Sequence, residues 1–173
     1  ATRWFIMKPF LVTSVLQGGL FGYADLEQGR LLLPPVYQDA GPFHEGLAVV
    51  RLGDRFGLID RDGVWRIDCG RYDYVGPLSG GRALVRRDGL YGFIDRHGRE
   101  AIAVRYPFAC RFHEGRAVVR IGDKYGYIDT EGRQAIPPVF DRAYRFIGGK
   151  ARVNRCGETF FIDKSDECWL KFD

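Results

Sequence analysis

A short pattern that recurs along the chain restricts the fold more than any other feature of the sequence. It reads aromatic-Gly-x-x-Asp, and the steps between its aspartates are 35, 35, 34 and 34 residues. A constant period of this length predicts a repeat array, in which each unit buries its apolar face against the neighbouring units. The copies are Phe21-Gly22-Tyr23-Ala24-Asp25, Phe56–Asp60, Tyr91–Asp95, Tyr125–Asp129 and a degenerate copy at Thr159–Asp163.

The segments around this pattern predict three short antiparallel strands in each unit. The aromatic-Gly strand is followed by Asp-x-x-Gly, as at Asp60 to Gly63, which is typical of a type I turn. A second strand is expected to end at Pro34-Pro35 and at Pro137-Pro138, because proline donates no ladder hydrogen bond. A Gly-x-Ala-x-Val strand such as Gly46–Val50 closes the unit.

Two sets of bulky residues recur between the second and third strands. We expect both sets in loops or single helical turns, where they fill the core between units. The first set comprises Tyr37, Tyr72, Tyr106 and Phe140, and the second, the plug residues, comprises Phe43, Leu78, Phe112 and Phe146.

The sequence therefore predicts an all-β fold, built as a single domain of tandem three-stranded antiparallel meander units of about 35 residues. The array is expected to be solenoid-like and either open or partly curled. In the first segment, Thr13 and Val15 align with Ala48 and Val50. The expected boundaries are a half unit at 1–20, units at 21–55, 56–90, 91–124 and 125–158, and a C-terminal cap at 159–173.

These motifs resemble the bacterial WG repeat family, whose units run aromatic-Gly-hydrophobic-Ile-Asp, then Gly, Ile-Pro-Pro-x-Tyr-Asp and Phe-x-Glu-Gly-Leu-Ala-x-Val. The fullest matches are Tyr125–Asp129, Ile136–Asp141 and Phe43–Val50. The chain has Phe or Tyr where the family name implies Trp, and its last copy has Phe160 in place of glycine, as in a terminal cap. The resemblance implies a β scaffold without an established catalytic centre or cofactor. It also implies partner-binding or envelope-associated proteins, some of which resemble immunity proteins that neutralise secreted lipase toxins of type VI secretion systems.

The composition predicts a chain that folds alone as a monomer, since 46% of its residues are hydrophobic. The net charge is only +4, but 21 of the 26 cationic residues are arginines. Arginine suits bidentate binding of carboxylate or phosphate, although a biased genomic base composition would give the same excess. The 22 acidic residues dilute the positive charge, so we expect no nucleic acid partner.

The ends and the cysteines bear on localisation. No apolar stretch approaches the roughly 18 residues that cross a bilayer, so we expect no membrane insertion. The chain begins at Ala1, which fits either a removed export signal or a trimmed sequence. Cys156 and Cys168 flank the strand of the last copy, and a disulfide between them would indicate an oxidising compartment. Free thiols in a cytoplasmic protein fit equally well. We expect a periplasmic or otherwise exported protein, with a cytoplasmic location as the alternative.

Patterns that would indicate catalysis or metal binding are weak. The repeated aspartates would suggest a calcium ladder, but their Asp-x-x-Gly setting favours a role as turn acceptors. His44-Glu45 and His113-Glu114 do not extend to H-E-x-x-H, which favours a loop role. No serine lies in G-x-S-x-G, and the cysteine spacing is not that of a zinc site. We expect no catalytic residues, no metal and no cofactor.

The best candidate for a binding surface is a row of cations at the ends of the Gly-x-Ala strands and in the turns that follow. This cationic edge comprises Arg51, Arg55, Arg86, Arg87, Arg120 and Lys124. Because stacked units align equivalent residues, the row would steer an acidic protein surface. The alternative is a solvated rim in which Asp54, Asp88 and Asp123 neutralise the cations.

The sequence thus favours a non-catalytic module that binds another protein through successive repeats. A specific role would be that of an immunity protein that inhibits a secreted toxin enzyme, such as a type VI secretion lipase. Two other classes stay open. One is an envelope module that binds glycans or lipid head groups, with Trp4, Trp65 or Trp169 as stacking residues, and the other is a hydrolase with an unrecognised site.

Overall fold

The chain folds into short antiparallel strands. The computed structural model describes residues 12–70, 72–165 and 168–171, the last range for its backbone only, and within these ranges there are nineteen strands and no helix. The strands are β1 Val12–Gln17, β2 Leu20–Asp25, β3 Arg30–Tyr37, β4 Asp39–His44, β5 Leu47–Leu52, β6 Arg55–Ile59, β7 Trp65–Asp68, β8 Tyr74–Ser79, β9 Arg82–Arg87, β10 Leu90–Asp95, β11 Glu100–Tyr106, β12 Phe108–Ala109, β13 Ala117–Ile121, β14 Lys124–Ile128, β15 Gln134–Phe140, β16 Arg142–Ala143, β17 Ala151–Arg155, β18 Glu158–Ile162 and β19 Cys168–Lys171.

The strands form five small sheets that follow one another along the chain. Sheet 1 contains β1 to β3, sheet 2 contains β4 to β7, sheet 3 contains β8 to β11, sheet 4 contains β12 to β15 and sheet 5 contains β16 to β19. Within each sheet, neighbours in the chain are neighbours in space and pair antiparallel. The predicted all-β tandem array is therefore confirmed.

Each of sheets 2 to 5 has one strand more than the predicted meander. The extra strand comes from the segment that was expected to be loop or helical turn, so the plug residues Phe43 and Leu78 lie in β4 and β8, while Phe112 and Phe146 lie in loops. This segment pairs with the Gly-x-Ala strand; for example, the Gln38 N–H donates to the Arg51 carbonyl at 2.9 Å. The pairing satisfies backbone groups that a three-stranded sheet would leave exposed at its edge.

The expectation that strands end at the proline pairs is wrong. Strands β3 and β15 run through Pro34-Pro35 and Pro137-Pro138, and their pairing with the aromatic-Gly strands shifts register at these points. A bulge accommodates proline because a bulged residue needs no ladder hydrogen bond. The bulge also explains the repeated glycine, since a Cβ at Gly22 would lie 2.5 Å from the Leu33 carbonyl oxygen.

The core lies between successive sheets. One residue of each aromatic-Gly strand faces the next sheet, and these socket residues are Tyr23, Leu58, Phe93 and Tyr127, each almost fully buried. The plug residue at the next sheet packs against the socket residue in the same apolar cluster. Ring centroids lie 4.9 Å apart for Tyr23 and Phe43 and 4.7 Å for Phe93 and Phe112. The plug residues thus fill the core between successive sheets, and each lies in the same sequence unit as its socket residue.

Polar contacts between units reinforce this packing. The N–H groups of Gly148 and Gly149, both at positive φ, donate to the Glu114 carboxylate at 2.6 and 2.9 Å. Glu45 accepts from the corresponding glycines of the next unit. Other bonds join two sheets within one unit: the buried hydroxyl of Tyr127 donates to the Tyr144 carbonyl at 2.7 Å, and the hydroxyl of Tyr23 donates to the Gly41 carbonyl at the same distance. Neighbouring units are thus joined through backbone groups as well as apolar side chains.

Candidate functional site

The cationic edge is aligned as the repeat predicts. Arg51, Arg86 and Arg120 pair with the aromatic residue that opens the next strand, in the same register in sheets 2, 3 and 4. Arg55 and Lys124 come directly after the turns that follow, as the first residues of β6 and β14. The three arginines therefore occupy equivalent positions in successive sheets.

Most cations of the edge are paired with carboxylates, but not with those beside them in sequence. Arg86 Nε lies 2.9 Å from Asp73, and Arg87 lies 3.6 Å from Glu100. Arg55 pairs with Asp68 and Lys124 pairs with Asp141. The Lys124 ammonium is the main cause that holds the pKa of Asp141 below its ordinary value. These partners stand at strand ends that the fold brings alongside the turns, so the edge is largely neutralised.

Arg120 differs from its equivalents. The position that Asp73 and Asp141 occupy in sheets 3 and 5 holds Pro107 in sheet 4. The Nε of Arg120 is buried and meets no acceptor among the described residues. Its cross-strand neighbour Phe108 is one-third exposed and packs at 5.6 Å against Tyr125. The cross-strand neighbours of Arg120 are thus both aromatic, Phe108 on one side and Tyr125 on the other.

A groove opens next to Phe108, and sequence reasoning missed it. Its volume is about 960 Å³, and it runs along the first strands of sheets 3, 4 and 5 and the loops that follow β12 and β16. It is lined by Tyr74, Leu84, Phe108, Ala109, Cys110, Arg111, His113, Ala143, Tyr144, Arg145, Ile147, Lys150, Arg152 and Phe161.

The groove combines apolar surface with positive charge. Among the residues that the structure describes, its lining includes four cations, Arg111, Arg145, Lys150 and Arg152, and no aspartate or glutamate. Four of its apolar side chains are exposed, Tyr74, Phe108, Tyr144 at 42% and Ile147 at 64%. The Arg152 guanidinium lies over the Tyr144 ring at 4.2 Å from its centroid, a cation–π contact. Such a surface attracts carboxylates and also offers apolar area to bury.

The titratable groups of the groove reflect its charge. Burial, then Arg145 and Arg111, lowers the pKa of His113, while Glu114 opposes the shift. Burial raises the pKa of the Cys110 thiol, with Arg111 acting against it. At neutral pH His113 is therefore neutral and Cys110 is protonated, and a protonated thiol is a poor nucleophile.

The repeat itself matches a known family. The profile of the WG containing repeat matches residues 21–55, 56–91, 91–125 and 125–155, which together make up more than half of the chain. The chain belongs to the WG-repeat family. No curated protein sequence matched it significantly.

Solved structures resemble the fold of this WG-repeat chain. Hsv2 of Kluyveromyces marxianus aligns with a TM-score of 0.61 at 9% identity, over 93% of this chain and 58% of that one. Hsv2 of Kluyveromyces lactis gives 0.56 at 8% identity, over 93% and 60%. A eukaryotic initiation factor gives 0.66 at 9% identity, over 93% and 51%. The WG-repeat chain thus spans little more than half the length of these proteins. Identity this low shows the fold alone, which is propeller-like.

The repeated aspartates of the WG units are turn acceptors. The Asp129 carboxylate accepts the N–H groups of Glu131 and Arg133 at 2.9 and 3.0 Å, and Asp60 and Asp95 accept equivalent pairs. The His-Glu pairs lie in loops, where Glu45 and Glu114 bind the glycines of the next unit. In the described part of the chain, no three metal-ligating side chains cluster, and no helix could cross a membrane.

The geometry of sheet 5 argues against the disulfide between Cys156 and Cys168. Cys156 is a free cysteine in the turn before β18, whereas Cys168 pairs with Ile162 at the far end of that strand. The side chain of Cys168 lies outside the described residues, but six residues of extended strand separate its position from Cys156 by about 20 Å. A disulfide requires Cα atoms within about 7 Å.

The tryptophans do not form a shared platform in the described WG units. Trp65 packs its ring on Gly57, where a Cβ would collide with it, and lines a small pocket of about 330 Å³ with Arg55 and Asp68. Trp4 and the side chain of Trp169 lie outside the described residues. A glycan or lipid head-group site at Trp65 would thus have one ring face already in use.

Proposed function

We propose that this WG-repeat protein is a non-catalytic module that binds another protein, and that the groove is its main binding surface. The observation that carries the proposal is the lining of the groove, whose described residues include four cations and exposed aromatic side chains but no acid. Aromatic residues and arginine are the residue types that dominate the energy of protein interfaces. The partner surface would be acidic with apolar side chains among its carboxylates.

The cationic edge has a secondary role in this proposal. The carboxylates that pair with its cations weaken the positive potential of the edge. The edge therefore contributes long-range steering of an acidic partner protein rather than contact energy. Arg120 resembles the cations of the groove more than the other edge cations do. Its Nε has no acceptor among the described residues, and its cross-strand neighbour is Phe108.

The specific role that we propose is inhibition of a secreted toxin enzyme, such as a type VI secretion lipase, by an exported immunity protein. This role follows from the family resemblance and fits a binding surface that works by steric and electrostatic complementarity. The WG-repeat protein would cover the active site of the partner enzyme and would itself catalyse no reaction.

The test is affinity capture from the lysate and secreted fraction of the source cells. We expect one stoichiometric acidic protein, whose capture falls steeply between low and high salt and is lost with a bait that carries Arg145→Glu and Arg152→Glu. The captured protein should lose its enzyme activity when the wild-type bait is added. Capture that the double variant retains would refute the groove, and turnover of the captured protein by the bait would refute a non-catalytic role.

A further inference from the structure

The way that units dock onto each other suggests what the groove accepts. In each of sheets 2 to 4, the socket residue has an aliphatic cross-strand neighbour: Val49 beside Leu58, Leu84 beside Phe93 and Val118 beside Tyr127. The aliphatic residue, the socket residue and the plug residue at the next sheet share one apolar cluster. This pair is thus the standard seat for a bulky apolar side chain.

Sheet 5 presents the same pair in an altered form. Phe161 takes the socket position, and Arg152 takes the position of Val49, Leu84 and Val118. Both residues line the groove, and Phe161 is only half-buried, whereas the socket residues of sheets 1 to 4 are at most 1% exposed. The seat for an apolar side chain therefore lies against the groove, with a cation built into it.

An arginine in a seat for an apolar residue changes what fits there. Its guanidinium is held over Tyr144 by the cation–π contact, and Arg145 lies in the same loop as Tyr144. A carboxylate beside the incoming apolar group would meet both arginines, while a cation would be repelled. The plug residues show that this combination occurs within the chain, since Phe43 and Phe112 are each followed two residues later by glutamate.

We propose that the groove anchors a bulky apolar side chain from an acidic segment of the partner protein, seated on Phe161 as a plug residue sits on a socket residue. Carboxylates that flank the anchor pair with Arg152 and Arg145. This inference rests on the proposed function and names the chemistry of the partner at the same surface.

The experiment uses three synthetic peptides and the whole chain. The probe is acetyl-Glu-Asp-Phe-Asp-Glu-Gly-amide, one control has alanine for phenylalanine, and the other has lysine for each acid. Binding is followed by NMR chemical-shift perturbation. We expect saturable binding of the probe with shifts at Tyr144 and Phe161, binding about tenfold weaker for the alanine peptide and none for the lysine peptide.

Protein variants separate the two parts of the seat. Arg152→Val restores the residue type of the other sheets and should weaken the acidic probe about five- to tenfold while leaving the fold intact. Phe161→Leu should weaken binding of the phenylalanine probe but not binding of the alanine peptide. If the Phe161 variant is unstable, Tyr144→Ala, at an exposed position, provides the same test. The matched control Arg30→Val, at an exposed position of sheet 1 outside the groove and the cationic edge, should leave probe binding unchanged.

Equal binding of the phenylalanine and alanine peptides would overturn the apolar seat, as would the absence of saturable binding, which is also the result expected if another segment of the chain covers the groove. If the captured partner is lost with Arg145→Glu and Arg152→Glu but is unaffected by Tyr144→Ala and Phe161→Leu, the anchor is wrong while the proposed function stands. If the captured partner binds all these variants as tightly as the wild-type protein, the proposed function itself is wrong.

Discussion

The cationic edge and the groove carry the same kinds of cation but differ in what lies beside them. On the edge, Arg55, Arg86, Arg87 and Lys124 each pair with a carboxylate. In the groove, none of the lining residues in the described part of the chain is acidic, and the cations border aromatic and aliphatic side chains instead.

The difference shows that the number of cations does not identify a binding surface. An exposed ion pair is close to a dipole, so its field falls off rapidly and its contribution is further screened by salt. Cations without acids among them add their potentials, and apolar neighbours supply area that a partner can bury. The groove therefore offers both electrostatic attraction and apolar burial to a partner, while the edge offers only a weak electrostatic attraction.

The largest expected effect is a direct contrast between the two surfaces. Arg145→Glu with Arg152→Glu should lower the affinity for the captured partner by about 100-fold or more, because two favourable contacts become repulsive. Arg51→Glu with Arg86→Glu makes the same change in net charge on the edge and should alter affinity by about threefold or less. Calorimetric titration of both variants, after circular dichroism has confirmed that they fold, decides the comparison. A larger loss with the edge variant would reverse it.

A smaller effect is expected when the loop that borders the groove is loosened. Tyr127→Phe removes the hydrogen bond to the Tyr144 carbonyl and should lower the free energy of unfolding by about 1 kcal/mol. If this bond positions the groove, partner affinity should fall by about fivefold. Denaturant unfolding and titration measure the two quantities.

Tyr23→Phe is the matched control, because it removes an equivalent bond to the Gly41 carbonyl far from the groove. It should cost similar stability and leave affinity unchanged. Equal losses of affinity in both variants would mean that general stability, and not the position of Tyr144, governs binding.

Releasing the edge cations should have a modest effect in the opposite direction. Asp73→Asn with Asp141→Asn removes the partners of Arg86 and Lys124 and should speed association with an acidic partner by about two- to threefold at low salt. The gain should vanish at about 0.5 M salt because the charges are exposed. Asp54→Asn with Asp88→Asn adds the same net charge at acids that pair with none of the edge cations in the described ranges, and stopped-flow rates should rise less. An equal rise would show that net charge alone matters.

The smallest effect is a shift in the titration of His113. Its pKa should lie below the ordinary value of 6.5 in the free protein, owing to burial and to Arg145 and Arg111, and should rise when an acidic ligand binds or in Arg145→Gln. The unfolded chain takes up this proton first, so the contribution of neutral His113 to stability is full above pH 6.5 and declines as pH falls towards the folded pKa. NMR titration of the His113 imidazole, with and without ligand, measures the shift. A His113 pKa that stays the same with ligand would place the bound acid elsewhere.

The sequence predicts the fold well where local chemistry decides the conformation. The aspartate turns, the Gly-x-Ala strands and the alignment of Thr13 and Val15 with Ala48 and Val50 all recur in the structure, because turn and strand preferences act over a few residues. The strand ends at the prolines are predicted wrongly, since a bulge over Gly22 or Gly126 accommodates a residue without an N–H. The extra strands of sheets 2 to 5, which are β4, β8, β12 and β16, are missed because their residues show no alternating pattern and gain their pairing only from the open edge of the neighbouring strand.

The candidate site divides in the same way. Register alone places Arg51, Arg86 and Arg120 in line, but it does not reveal that Asp73 and Asp141 approach the edge. Nor does it reveal that the Nε of Arg120, next to Pro107, meets no acceptor among the described residues. The groove had one signal in the aligned repeats, the arginine at position 152 where the other units have Val49, Leu84 and Val118. That difference indicates a binding site only once the structure places Phe161 and Tyr144 beside Arg152.

The sequence by itself determined the period, the strand chemistry and the family, because each unit repeats the same short-range preferences and the same plug and socket residues. The tertiary structure alone decided which cations are neutralised and where apolar surface stays open. Those properties depend on groups from different units that approach within a few ångströms, and Coulomb attraction and apolar burial act over that distance in space, whatever the separation along the chain.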